Sequence, residues 1–150
     1  MVDIDGLRTQ LGQWETRTES RWLARDLAIS LIETHLESGY NVIVPQFLGR
    51  LEFIERLEEA ALAVGGSFVE VLLAIDRESA ERRFRERRAA LAGVSHPEGD
   101  VAEADVEAAI AAADDAIVEV YEQRSGAIRV DASGDLDHTC SALLSVLSAT

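Results

Sequence analysis

Four short runs of β-branched and apolar residues, each followed by a stretch with helical spacing, constrain this chain more than any other feature of its sequence. Val2 and Ile4 alternate with Asp3 and Asp5, so a strand there has one apolar face and two carboxylates near its carboxyl end. Asn41 to Val44 is β-branched and closed by Pro45, which predicts a buried strand ending at Gln46. Ser67 to Ile75 and Ala127 to Asp131 read the same way. Strand, helix, strand, helix in this order predicts an α/β fold with a parallel sheet and helices packed on its faces.

The intervening segments carry helical periodicity. Thr18 or Ser20 is placed to cap a helix running to about Ser38, with Trp22, Leu23, Leu27, Leu31, Ile32 and Leu36 as its apolar stripe and Gly39 as its end. Phe47, Leu51, Ile54, Leu57 and Ala61 predict a second helix, stopped by Gly65 and Gly66. Asp76 is placed to cap a third. Val106, Ile110, Ala113, Ile117, Val120 and Tyr121 predict a fourth between Glu103 and Gln123, and Asp135 to Leu147 a last one. Gly93 to Asp100, rich in glycine and small polar residues with one proline, reads as the hinge of a lid.

The 150 residues suit one domain, and a hydrophobic content of 47% suits an ordinary globular protein. A formal charge of −14 argues against binding nucleic-acid backbones. No apolar run reaches bilayer-spanning length and the N-terminus lacks the regions of a signal peptide, so the cytoplasm is the expected compartment. Cys140 is the only cysteine, which excludes an internal disulfide; among leucines it reads as a small core residue rather than a nucleophile. His35, His96 and His138 lack ligand spacing.

Two groups of residues bear on chemistry. Asp3 and Asp5 lie where ligands gather in open α/β sheets and suit Mg²⁺ or an acceptor hydroxyl; alternatively Asp5 only caps the following helix while Asp3 faces water. Arg82, Arg83, Arg85, Arg87 and Arg88 crowd one helix of an acidic protein. Glu78 with Arg82 and Glu81 with Arg85 are spaced for ordinary helix-surface pairs, whereas Arg83, Arg87 and Arg88 are not and suit phosphate oxygens. All 14 basic residues are arginine; the chain has no lysine.

Taken together, Val2-Asp3-Ile4-Asp5-Gly6-Leu7-Arg8, Val44-Pro45-Gln46-Phe47-Leu48-Gly49-Arg50, the arginine cluster before a loop, and Val130-Asp131-Ala132-Ser133-Gly134 before the final helix resemble the P-loop kinase-like phosphotransferases, and more narrowly bacterial AAA-type ATP-binding proteins. The resemblance implies a three-layer parallel sheet of P-loop type and phosphoryl transfer from ATP to a small hydroxylated acceptor. It assigns Asp3 and Asp5 to catalysis and Mg²⁺, Arg8 and Gln46 to the acceptor, Arg83, Arg87 and Arg88 to a phosphate-binding lid, and Ser133 and Gly134 to the border of the adenine ring. The G-x-x-x-x-G-K-[ST] loop with its flanking strand and helix has no counterpart in the chain. The expectation is therefore a P-loop domain over residues 1–150 with its first βα unit missing, which does not turn over by itself. Three explanations follow: a truncation or wrong start, a natural remnant serving as a binding or interaction protein and dimerising through unpaired strand edges, or an unrelated α/β domain.

Overall fold

The computed structural model describes residues 1–94 and 103–148, with the side chain of Glu103 left out. Its elements are α1 (Ile4–Thr9), α2 (Ser20–Glu37), α3 (Leu51–Ala63), β1 (Val71–Ala74), α4 (Arg77–Ala90), a 3₁₀ turn (Glu103–Asp105), α5 (Val106–Gln123), β2 (Ile128–Asp131) and α6 (Leu136–Leu147). The described residues fall into two compact units, residues 1–68 with 91–94 and residues 69–90 with 103–148.

The expected three-layer parallel sheet is overturned. Among the described residues there is one sheet, of two strands, in a chain dominated by helices. Of the four expected strands, those at residues 2–4 and 41–44 do not form. At the N-terminus, Asp3 is still extended (φ −99°, ψ 110°) and its side chain caps α1, so the chain turns helical at Ile4. Asn41 to Val44 keeps the alternation of a strand, with Val42 and Val44 packed on the core and Ile43 63% exposed. A single backbone bond joins the two segments, Val2 N–H to Ile43 O at 2.8 Å. Side-chain burial is satisfied there, but a strand needs a ladder of backbone bonds, and one bond is not a ladder.

The N-terminal unit is built on helices. Val2, Ile4, Ala24, Ala28, Ile29, Ile32, Phe53, Leu57 and Ala60 form its buried core, with Leu7, Leu36, Val44 and Phe68 packed against it. The apolar stripe expected on α2 is corrected in part: Ile32 is buried and Leu36 packs on the core as expected, joined by Ala24, Ala28 and Ile29, whereas Trp22, Leu23, Leu27 and Leu31 are exposed. Small alanines let α1 and α3 approach the α2 backbone closely, and the leucines follow the opposite face outward. Neither Thr18 nor Ser20 caps α2; Glu19 occupies that position without a side-chain bond, and Ser20 Oγ instead donates to Trp14 O at 3.0 Å. At the end of α3, Gly65 takes φ +72°, and the Gly65 and Gly66 N–H groups return to Leu62 O and Ala61 O. Only glycine adopts that left-handed turn without strain.

In the second unit β1 and β2 pair in parallel, Val71 opposite Ile128 and Ala74 opposite Asp131. Ile128 N–H to Glu70 O and Ala132 N–H to Ala74 O extend the ladder by one bond at each end. Asp76 caps α4 as expected, its Oδ1 accepting from Ser79 N–H at 2.9 Å, and Asp135, expected as the first residue of the last helix, caps α6 instead, its Oδ1 accepting from His138 N–H at 2.8 Å. The core of this unit is Val106, Ile110, Val120, Val130 and Ala132. No residue of α6 is buried, so Cys140 is exposed rather than a core residue. Most of the expected lid hinge, residues 95–100, lies outside the described residues.

Candidate functional site

The N-terminal unit brings two of the expected site residues together. Gln46, in the extended segment after Val44, reaches back to α1 and donates through Nε2 to Asp5 Oδ2 at 2.9 Å. No other hydrogen bond or ion pair engages Asp5 among the described residues, which leaves its second oxygen able to accept from a ligand. Asp3 does a different job. Its Oδ1 accepts from Gly6 N–H at 3.0 Å, and a Cβ at position 6 would lie 2.9 Å from Oδ2, so glycine there lets the capping carboxylate sit close. The expectation that Asp5 caps the helix is thereby corrected to Asp3.

Beside Asp5 lies an arginine–aromatic cluster that sequence reading missed. Arg25 projects from α2 with its guanidinium 5.0 Å from the Trp22 ring centroid and 5.4 Å from that of Phe53 on α3. Arg50, immediately before α3, lies 5.1 Å from the same Trp22 ring. Together with Glu52 and Arg56 these residues line a cavity of about 50 Å³, room for a group of a few heavy atoms rather than a nucleotide. Burial, and after it the charges of Arg50 and Arg21, hold the Arg25 guanidinium below the ordinary arginine range, while Asp5 pulls the other way. The legible signal was Arg21 and Arg25, like charges four residues apart on one helix face.

Arg8, expected to anchor an acceptor, is engaged within the fold. Its Nε donates to Ser20 Oγ at 3.1 Å and its guanidinium covers the Trp14 ring at 5.1 Å, joining α1 to the start of α2.

The second unit holds the remaining expected residues. Arg83 Nη2 donates to Gly134 O at 2.7 Å, tying α4 to the turn after β2. Ser133 donates through both its backbone N–H (2.9 Å) and its Oγ (2.7 Å) to Asp131 Oδ1, an Asx turn that spends its hydroxyl locally. These bonds, the Oγ bond foremost, hold the Asp131 carboxyl below its ordinary range. Ser133 lines an open concavity of about 520 Å³ with Ala74, Ile75, Asp76, Arg129 and Asp131, at the carboxyl ends of the two strands. Arg87 and Arg88 lie in the last turn of α4, Arg87 over the Phe84 ring at 5.8 Å.

At the expected Mg²⁺ site, Asp3 Oδ1 accepts the capping bond and Asp5 Oδ2 the bond from Gln46, and among the described residues no three His, Cys, Asp or Glu side chains gather as a group that could hold a metal. The expected ATP site lacks its grip as well, since the sequence contains neither lysine nor a phosphate-cradling glycine loop. The sequence matches no protein-family model, and no curated protein and no solved structure is similar to it.

Proposed function

We propose that the N-terminal unit binds a small hydroxylated molecule as the acceptor side of a phosphoryl transfer, with Asp5 receiving the hydrogen bond of the acceptor hydroxyl. The bond from Gln46 Nε2 to Asp5 Oδ2 carries this reading. It fixes the carboxylate in one orientation and leaves the second oxygen to accept an O–H, the preorganisation that a positioning base requires. In the reaction class that the resemblance implies, the phosphoryl donor is ATP. No residue of this chain is assigned to hold it, and no step is routed through it or through Mg²⁺.

As they stand, these 150 residues are a binding protein, and calorimetry with Mg·ATP is expected to show no micromolar affinity. The test is a calorimetric screen of small polyols and hydroxy acids, each against its deoxy counterpart. Hydroxylated compounds are expected to bind more tightly to the native chain and to lose that advantage in Asp5→Asn, by about tenfold. An equal response of Asp5→Asn and the native chain to every pair would overturn the assignment.

A further inference from the structure

We propose that Arg25 and Arg50 form an oxyanion-binding site in the N-terminal unit, and that the small molecule bound there carries a carboxylate or a phosphate ester. This names the chemical class of the acceptor and rests on the reading of Asp5 for the hydroxyl, whereas the arginine site stands on observations of its own.

The first of these is an unspent donor. Arg25 Nη1 is buried and has no hydrogen-bond partner among the described residues. A buried charged donor is expensive to leave unmade, and native proteins seldom tolerate one that has no use. The second is a gathering of like charge. Arg25 and Arg50 lie over one Trp22 ring, and no carboxylate is in ion-pair range of either among the described residues. Of their neighbours, Arg56 pairs with Asp26 at 2.8 Å, and Arg21 Nε donates to Thr18 O at 3.3 Å. Glu52 lines the same cavity yet pairs with neither arginine.

The third observation is geometric. Trp22 and Phe53 hold the guanidiniums by cation–π contact at 5.0 to 5.4 Å from the ring centroids, an attraction that takes up none of the acceptors an oxyanion would offer to the N–H donors. A forked edge matches an oxyanion with two oxygens. Asp5 acts on Arg25 electrostatically without pairing with it. A short ligand, with its anionic group on the arginines and its hydroxyl on Asp5, would span the two.

The test uses the whole chain, followed by tryptophan fluorescence and calorimetry. The probes are inorganic phosphate, glycerol 3-phosphate, glycerate, propionate and uncharged glycerol. At least one anion is expected to bind saturably in the millimolar range or tighter, and more weakly as salt is added, while uncharged glycerol binds more weakly than that anion and without the salt dependence. Glycerate against glycerol 3-phosphate distinguishes a carboxylate ligand from a phosphate ester. Arg25→Met and the exposed Arg50→Gln, each shown to be folded by circular dichroism, should weaken the bound anion by about tenfold or more. No saturable anion binding, or equal binding by both variants and the native chain, would overturn the site. Asp5→Asn separates the two readings: it should abolish the preference for glycerate over propionate and leave propionate bound. If the native chain shows no such preference but both arginine variants lose the anion, the oxyanion site stands and the acceptor reading fails.

Discussion

Gln46 and Asp5, 41 positions apart in sequence, meet in a hydrogen bond of 2.9 Å that links the extended segment after Val44 to α1. The bond is partly buried and its acceptor is charged, so losing it in Gln46→Leu should cost about 1 kcal/mol of unfolding free energy, read from urea denaturation. Gln46→Glu is the sharper probe. Two carboxylates at that distance raise each other's pKa in the folded state above the unfolded value. The folded protein then binds more protons than the unfolded chain, so this variant should gain stability relative to the native protein as pH falls through the carboxylate range. A deficit that does not change with pH would show that the two side chains do not meet.

Arg25 should behave as a residue kept for binding rather than for stability. Its Nη1 is a buried donor without a partner among the described residues and the charges of Arg50 and Arg21 oppose its own, while its cation–π contacts with Trp22 and Phe53 are favourable. Replacing it with methionine fills the same space with an apolar chain. Arg25→Met is therefore expected to stay within about 1 kcal/mol of the native chain or to exceed it in thermal unfolding. A loss of several kcal/mol would mean that the arginine holds the core together.

In the second unit, Arg124 Nε lies 2.8 Å from Glu70 Oε2, and both side chains are about 20% exposed (19% and 20%). Arg124 ends α5, and Glu70 is the residue whose carbonyl accepts from Ile128 N–H at the start of the strand pair. The pair thus fastens the end of a helix to the beginning of the sheet. A double-mutant cycle with Arg124→Ala and Glu70→Ala should give a coupling of about 1–2 kcal/mol, above the range of exposed pairs. A coupling near zero would reduce the contact to a surface pairing.

Acid should weaken the second unit through two turns. Backbone bonding from Ser79 lowers the Asp76 pKa, and bonding from Ser133 lowers that of Asp131. A folded pKa below the unfolded one contributes stability above the ordinary carboxylate range, and that contribution is lost as pH falls through it toward the lowered value. Asp76→Ala and Asp131→Ala should both be less stable than the native chain at pH 7 and should converge on it well below about pH 4. Differences that persist at low pH would mean that the side chains act through packing and not through their charge.

Local features of the sequence located the helices after α1, because caps and periodicity act over a few residues. Asp76 meets Ser79, Asp135 meets His138, and Gly65 turns the end of α3 without help from distant chain. The arginines of α4 were equally legible as a cluster, although Arg83 is spent on Gly134 O, a partner 51 positions away. Tertiary structure alone decided which apolar runs became strands. Val71 to Ala74 and Ile128 to Asp131 have each other, whereas Val2 and Ile43 share one bond, since a ladder depends on a neighbour that no local pattern supplies. It also decided which face of α2 is buried, choosing close approach over the alanines against the larger area of the leucines. The convergence of Arg25 and Arg50 on Trp22 follows from the packing of α2 against α3, a relation that spacing along the chain does not contain.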